Sequence, residues 1–153
     1  MNIPPLRREA VMPRIDGITR NIKRLREFGA RPREEFLKNE DLFDLSQHHL
    51  RLALEGIFHI ASHILSRIPG ARATGYREIA IALGTHGIVD MAFAEDTLAK
   101  MAGYRTRLTH FYHEITPEEL YSIIQNNLDD IGKFLRSIKE VLENSEKYGF
   151  TVE

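Results

Sequence analysis

Residues 42–68 restrict the fold more than any other stretch, because their apolar side chains recur with the period of an α-helix. At about 100° per residue, these side chains fill one wide arc of the helix surface. The stretch ends at Pro69 and Gly70, a pair that stops helices. Such a helix buries its apolar arc against other helices, which indicates a helical bundle. The arc contains Leu50, Leu54, Ile57, Ile60, Ala61, Ile64 and Ile68.

The rest of the chain also has helical periodicity, without the alternation that is typical of strands. Pro13 suits the first turn of a helix, and the Thr-Pro-Glu-Glu run at 116–119 is a helix-capping sequence. We therefore predict an all-α fold, an antiparallel up-and-down bundle of four long helices plus a short one, forming a single domain over residues 1–153. The predicted helices span residues 13–29, 42–68, 76–83, 88–111 and 116–147, with a short turn over 32–38.

Composition excludes several classes of protein. The sequence has no cysteine, which excludes disulfides, thiolate chemistry and cysteine zinc sites. Neither an apolar run long enough to span a membrane nor the apolar core of a signal peptide is present, so we expect a cytoplasmic protein. The net charge is −1, but residues 1–38 carry ten Lys/Arg against five Asp/Glu. We interpret this excess as a solvated basic face of the first helix rather than a binding surface.

A polar line runs along the helix predicted over residues 42–68. Within it, Glu55 and His59 are one helical turn apart and both can bind a metal. A metal site in a bundle also needs ligands from a facing helix, which Glu95 and Asp96 could supply. Most such lines face solvent or an interface, so we expect neither a metal nor another cofactor. The line consists of His48, Arg51, Glu55, His59, Ser62 and Ser66.

Residues 104–116, YRTRLTHFYHEIT, concentrate the groups best suited to phosphate chemistry. Arg105 and His110 have the spacing Arg-x4-His, and Tyr112 completes Arg-x4-His-x-Tyr. A second register, Arg107 to His113, has the same first spacing but lacks the tyrosine. Histidine can accept or donate a proton near neutral pH, and a guanidinium group can bind phosphate oxygens. A purely structural interpretation also stands, in which the arginines flank a helix end and His110 makes an interhelical hydrogen bond.

In this segment the chain resembles the HEPN superfamily, specifically the HepT-like toxins that are paired with minimal nucleotidyltransferases. Their hallmark is Arg-x4-His-x-Tyr, and KMAGYRTRLTHFYHEITPEELYSII at 100–124 is similar to their signature segment. LRLALEGIFHIASHIL and GYREIAIAL are similar to the second and third helices of that family. The resemblance covers most of the chain from about Leu42 onward. One departure is Thr106, where the family usually has asparagine.

The resemblance implies a toxin of a toxin–antitoxin pair, acting as a metal-independent endoribonuclease with Arg105 and His110 as catalytic residues. It implies an RNA substrate, a cognate minimal nucleotidyltransferase antitoxin as partner, and regulation by AMPylation of Tyr112. Thr106 is a supporting position, where threonine in place of the usual asparagine could weaken the activity or change the substrate. Residues five apart on a helix differ by roughly 140° and 7.5 Å, so a compact site would combine two copies, as the homodimers of the family do. The alternative is a non-catalytic HEPN-type subunit that binds the transferase or a nucleotide.

Overall fold

The computed structural model describes residues 2–110 and 115–153, and these fold into a bundle of helices. The predicted all-α class is confirmed: within the described residues, the only extended pairing is one isolated bridge between Leu6 and Val152. No helix in this part of the chain is long and apolar enough to cross a bilayer. The helices are α1 (Arg8–Gly29), α2 (Arg33–Lys38), α3 (Glu40–Leu65), α4 (Tyr76–Thr85), α5 (Ala99–Arg107), α6 (Pro117–Asn126) and α7 (Leu128–Glu143).

Helices α1 and α3 pack along each other and form the wall of the bundle that carries the polar line. They approach closely at Gly56, where an added Cβ would lie 2.8 Å from Cγ1 of Ile18. Helix α1 begins at Arg8, five residues before the predicted start, so that Pro13 lies inside the helix. Pro13 is exposed there. A proline can occupy an early turn of a helix at a cost of one backbone hydrogen bond.

The side chain of Asn39 caps the N-terminus of helix α3. The Oδ1 atom of Asn39 accepts a hydrogen bond from the backbone N–H of Leu42 at 3.1 Å. This satisfies one of the free donors of the first turn, so the helix starts at Glu40 rather than at the predicted residue 42. The predicted apolar arc is buried from Leu50 to Ile64, which confirms the face that packs into the core, while its last member, Ile68, is half-buried beyond the end of α3 at Leu65.

The fourth long helix is less regular than its sequence suggests. Residues Phe93–Leu98 form a stretch of π-helix that continues directly into α5. Each extra residue held in a π turn rotates everything after it by about 100°. The π stretch therefore changes which face of the helix Arg105 occupies. Helix α5 ends at Arg107, four residues before the predicted end.

The last predicted helix, residues 116–147, is two helices in the structure. The Thr116 hydroxyl oxygen accepts a hydrogen bond from the Glu119 N–H at 3.2 Å, as the capping sequence predicts. The chain then breaks at Asn127 between α6 and α7. Helix α7 buries one apolar face and is followed by a 3-10 turn, Ser145–Tyr148. Its buried residues are Leu128, Ile131, Phe134, Leu135, Ile138, Val141 and Leu142.

The two ends of the chain are joined beside the C-terminal end of α3. The Leu6 N–H donates to the Thr151 carbonyl at 2.8 Å, and the Glu153 N–H donates to the Leu6 carbonyl at 2.8 Å. The Arg7 N–H donates to Nε2 of His63, a residue of α3, at 3.1 Å. These bonds fix the first residues of the chain against the bundle.

Candidate functional site

Arg105 lies in the last turn of α5, and its side chain points into the bundle. Only 13% of the side chain is exposed, and its Nη2 atom lies 2.9 Å from Oε1 of Glu55 on α3. A buried guanidinium group without a carboxylate partner would be costly, so this ion pair sets the direction of the side chain. The Nε atom of Arg105 is also buried and has no hydrogen-bond partner among the described residues.

Tyr76, the first residue of α4, holds the Arg105 side chain on a second side. The guanidinium carbon of Arg105 lies 5.2 Å from the centre of the Tyr76 ring, within the range of a cation–π contact. The Tyr76 ring in turn packs against Phe58 of α3, with ring centres 5.1 Å apart. Arg105 is therefore restrained by both α3 and α4.

Glu55 also faces a second cation. Nη1 of Arg51, one turn earlier on α3, lies 3.8 Å from the same Oε1 atom. The cluster of Arg51, Glu55 and Arg105 carries two positive charges and one negative charge. It adjoins a shallow groove between α1 and α3 whose walls include Arg14, Asn21, Glu55 and His59. A local excess of positive charge attracts a phosphate group.

Arg107 belongs to a different pair. Both of its terminal nitrogens contact the carboxylate of Glu119 on α6, with Nη2 donating to Oε2 at 2.7 Å. This hydrogen bonding raises the pKa of the Arg107 guanidinium above its usual value. Burial raises the pKa of the nearby Tyr104 hydroxyl; Glu119 raises it further, while Arg107 opposes the change. The two arginines of the segment therefore have separate carboxylate partners.

His110 is exposed and lies three residues beyond the end of α5. Arg105 and His110 consequently do not belong to one helix, in contrast to the expectation from the sequence. The Thr106 hydroxyl donates to the Ala102 carbonyl at 3.1 Å, a bond within its own helix. Tyr112 and His113 lie outside the described residues. The segment thus presents a mostly buried arginine followed by an exposed histidine.

The alternative metal site lacks the arrangement it would need. No group of three or more His, Asp or Glu side chains within residues 2–110 and 115–153 could hold a metal ion. Glu55 pairs with Arg105, and the candidate facing ligands Glu95 and Asp96 are exposed on the π stretch. Sequence patterns did not indicate the Glu55–Arg105 pair, because the two residues are 50 positions apart and on different helices.

Three comparisons with known proteins agree with one another. Residues 18–138 match the model of the ribonuclease HepT-like family. A protein named tRNA nuclease HepT, from Aphanizomenon flos-aquae (strain 2012/KM1/D3), is 26% identical over 146 residues, which are 95% of this chain and 97% of that protein.

Solved structures show the same fold. A toxin–antitoxin crystal structure with AMP-PNP contains a chain that is 23% identical, with a TM-score of 0.76, covering 86% of this chain and 98% of the other. A tri-AMPylated HEPN toxin from Shewanella oneidensis, in complex with an MNT antitoxin, is 25% identical with a TM-score of 0.75. That match covers 91% of this chain and 98% of the toxin.

Proposed function

Because this chain belongs to the ribonuclease HepT-like family, we propose that it is the toxin of a HepT–MNT toxin–antitoxin pair and a metal-independent endoribonuclease. The observation that carries this proposal concerns the motif Arg-x4-His-x-Tyr. Its arginine, Arg105, is held by Glu55 of α3, and its histidine, His110, is exposed five residues later. A fixed cation can stabilise the charge of the transition state and an accessible imidazole can transfer a proton, and metal-free RNA cleavage uses both functions. The proposed site of action is the cytoplasm.

The proposed reaction is an internal transfer of the RNA phosphodiester. The 2′-oxygen forms a bond to phosphorus while the bond from phosphorus to the 5′-oxygen breaks, which leaves a 2′,3′-cyclic phosphate and a 5′-hydroxyl. One imidazole removes the proton of the 2′-hydroxyl, and a second donates a proton to the departing 5′-oxygen. Arg105 offsets the charge on the pentacoordinate phosphate. No water or metal enters this step.

The need for two imidazoles favours a homodimer. His110 of one copy would act as the base and His110 of a second copy as the acid. Arg105 points into its own bundle whereas His110 is exposed beyond the helix end. A cleft between two copies would bring both motifs to one phosphate. We propose that this cleft binds the RNA.

The named relatives suggest a substrate and a partner. The relative from Aphanizomenon flos-aquae is named a tRNA nuclease, so transfer RNA is the first substrate to test. The toxin from Shewanella oneidensis is AMPylated and bound to an MNT antitoxin. By analogy, we propose that a cognate minimal nucleotidyltransferase adds AMP to Tyr112, the tyrosine of the motif, and thereby silences the nuclease.

Cleavage of labelled transfer RNA by the purified protein, with and without EDTA, tests the proposed activity. We expect cleavage to survive EDTA and to fall by about 10²–10⁴-fold in His110→Ala, the usual effect of losing a general acid–base. Arg105→Ala should lower cleavage to a small residual rate. Arg107→Ala and His113→Ala are controls for the other register and should have much smaller effects.

Two results would contradict the proposal. Cleavage that requires a divalent ion and disappears in His59→Ala would favour the metal site on α3. A protein that binds its transferase but cleaves no RNA would favour the non-catalytic binding subunit.

A further inference from the structure

We propose that Glu55 is a positioning residue of the nuclease site, which holds the Arg105 guanidinium in the orientation that meets the scissile phosphate. This inference rests on the proposed function, since it assigns a role to the residue that orients the proposed catalytic arginine. It gives a task to an acidic side chain that the sequence motif does not include.

The first argument is burial. Arg105 is 13% exposed at its side chain, and Glu55 is 29% exposed. At this depth, the attraction between opposite charges is weakly screened, so the 2.9 Å contact determines where the guanidinium lies. Removing the carboxylate would leave a largely buried cation, and the arginine side chain would turn toward solvent. The site would then lose its fixed positive group.

The second argument is that the contact is directional. Glu55 contacts Nη2, while the guanidinium carbon lies 5.2 Å from the centre of the Tyr76 ring. A cation–π contact depends on distance from the ring face. It therefore does not determine how the guanidinium group is rotated within the guanidinium plane. A contact between a carboxylate oxygen and one guanidinium nitrogen does determine that rotation. Glu55 therefore determines the orientation of the guanidinium group, and Tyr76 restrains its position.

The third argument is charge. A carboxylate beside a phosphate-binding arginine would repel the substrate unless another cation compensated for it. Arg51 stands 3.8 Å from the same Glu55 oxygen, so the cluster keeps a net positive charge. The RNA phosphate can bind to Arg105 while Glu55 stays in place. Glu55 thus orients the arginine without blocking the substrate.

A double-mutant cycle tests the proposal, using single-turnover cleavage of the same labelled transfer RNA. Arg105 acts on the transition state, so Glu55→Ala should lower the maximal rate constant and leave the RNA concentration for half-maximal rate nearly unchanged. A displaced catalytic group typically costs about 10²-fold, and this is the loss we expect. In an Arg105→Ala background, Glu55→Ala should cause no further loss.

Two further variants separate positioning from folding. Glu119→Ala removes the carboxylate that pairs with Arg107 and has a similar side-chain exposure, 32% against 29% for Glu55. It should lower thermal stability without a comparable loss of rate. Glu55→Gln retains an acceptor oxygen and the side-chain shape, so it should fold normally and lose about tenfold. If Glu55→Ala does not fold, the double-mutant cycle with Arg105→Ala is measured with Glu55→Gln instead.

The possible results are distinct. Loss in Arg105→Ala together with full cleavage by folded Glu55→Ala and Glu55→Gln would overturn the positioning role and leave the proposed function intact. Losses from Glu55 and Arg105 that multiply in the double variant would also overturn it, because Glu55 would then act through another group. Full cleavage by Arg105→Ala would reject the proposed site itself. A double variant that cleaves no more slowly than Arg105→Ala alone, together with a loss in Glu55→Ala alone, supports the proposal.

Discussion

Arg107 and Glu119 form a two-contact salt bridge that joins the last turn of α5 to the first turn of α6. Both side chains are about one-third exposed, at 33% and 32%. The bridge spans the segment that contains His110, so it holds the two ends of that segment together. Its role is therefore to keep the motif segment anchored, whereas the role we propose for Arg105 is chemical.

We predict that Arg107→Met lowers stability and largely preserves cleavage. A partly exposed bidentate pair contributes about 1 kcal/mol, which corresponds to a decrease in Tm of about 2–4 °C for a domain of this size. Glu119→Gln should cause a similar decrease in Tm. The decrease in the double variant should not exceed the sum of the two single decreases. Thermal melts and the cleavage assay check this. Loss of cleavage at an unchanged Tm would instead assign the chemistry to the Arg107 register.

A close contact between helices leads to a second prediction, at Gly29 near the end of α1. An added Cβ would lie 2.3 Å from Cγ2 of Ile124 and 2.9 Å from Nε2 of Gln125, which donates to the Gly29 carbonyl at 2.7 Å. Gly29→Ala should therefore destabilise the protein by about 1–3 kcal/mol, although alanine is the better helix former.

Gly17→Ala is the matched control on the same helix. Its added Cβ would meet no described atom closer than Nη2 of Arg20 at 3.9 Å. Without a clash, the gain in helix propensity of up to about 1 kcal/mol should appear as increased stability. Denaturant unfolding of both variants measures the two effects. Equal changes of the same sign would show that α1 and α6 do not pack as closely as the structure indicates.

The positions of the helices follow from periodicity and capping, but the site depends on information that a local pattern lacks. Thr116 caps α6 as expected, because capping involves residues three positions apart. The pairing of Arg105 with Glu55 depends on the rotation of α5 about its axis. That rotation is set by the π stretch at Phe93–Leu98, which apolar periodicity does not reveal. The polar line on α3 likewise showed two side chains that could bind a metal, but it did not show that one of them pairs with Arg105.

The third prediction concerns pH. Burial lowers the pKa of the His63 imidazole below its usual value of 6.5, and three neighbouring guanidinium groups lower it further. These groups belong to Arg67, Arg14 and Arg7. In the folded protein the neutral imidazole accepts the Arg7 N–H. The unfolded chain therefore binds a proton more readily, and stability should decrease as the pH falls below about 6.5 toward the folded pKa.

His63→Gln should reduce this dependence on pH, because glutamine offers an acceptor that does not titrate. The residual slope should come in part from His49, whose pKa is also lowered, first by burial and then by His48 and Arg24. The same substitution at exposed His86 is the control. Melting temperatures between pH 5.5 and 7.5 measure the slopes. An unchanged slope in His63→Gln would mean that the pKa of His63 does not differ between the folded and unfolded chain.

The fourth prediction is a homodimer. The proposed reaction needs two imidazoles, and one chain contributes a single histidine at the motif position, His110. Light scattering at about 10 µM protein should therefore give twice the 17.6 kDa mass of one chain. Mixed dimers of one unchanged chain and one His110→Ala chain contain a single motif imidazole, so they should cleave far more slowly than the unchanged homodimer if the site combines two copies. A monomeric, active enzyme would contradict the prediction.

The last prediction is that AMPylation of Tyr112 silences the proposed nuclease. Each AMP would add a negatively charged phosphodiester and a bulky base two residues from His110. This phosphate would compete with RNA for the cluster of Arg51, Glu55 and Arg105, which carries a net positive charge. The modified protein should therefore bind and cleave labelled RNA poorly.

Co-expression with the cognate transferase, followed by peptide mass spectrometry, tests this mechanism. We expect one or more AMP additions on the peptide that contains Tyr112, with loss of cleavage. Tyr112→Phe cannot be modified and should remain active after co-expression, while Tyr121→Phe, at an exposed hydroxyl on α6, should still be silenced. A silenced complex with unmodified Tyr112 would mean that the transferase inhibits by covering the cleft, since no phosphate would then compete for Arg105.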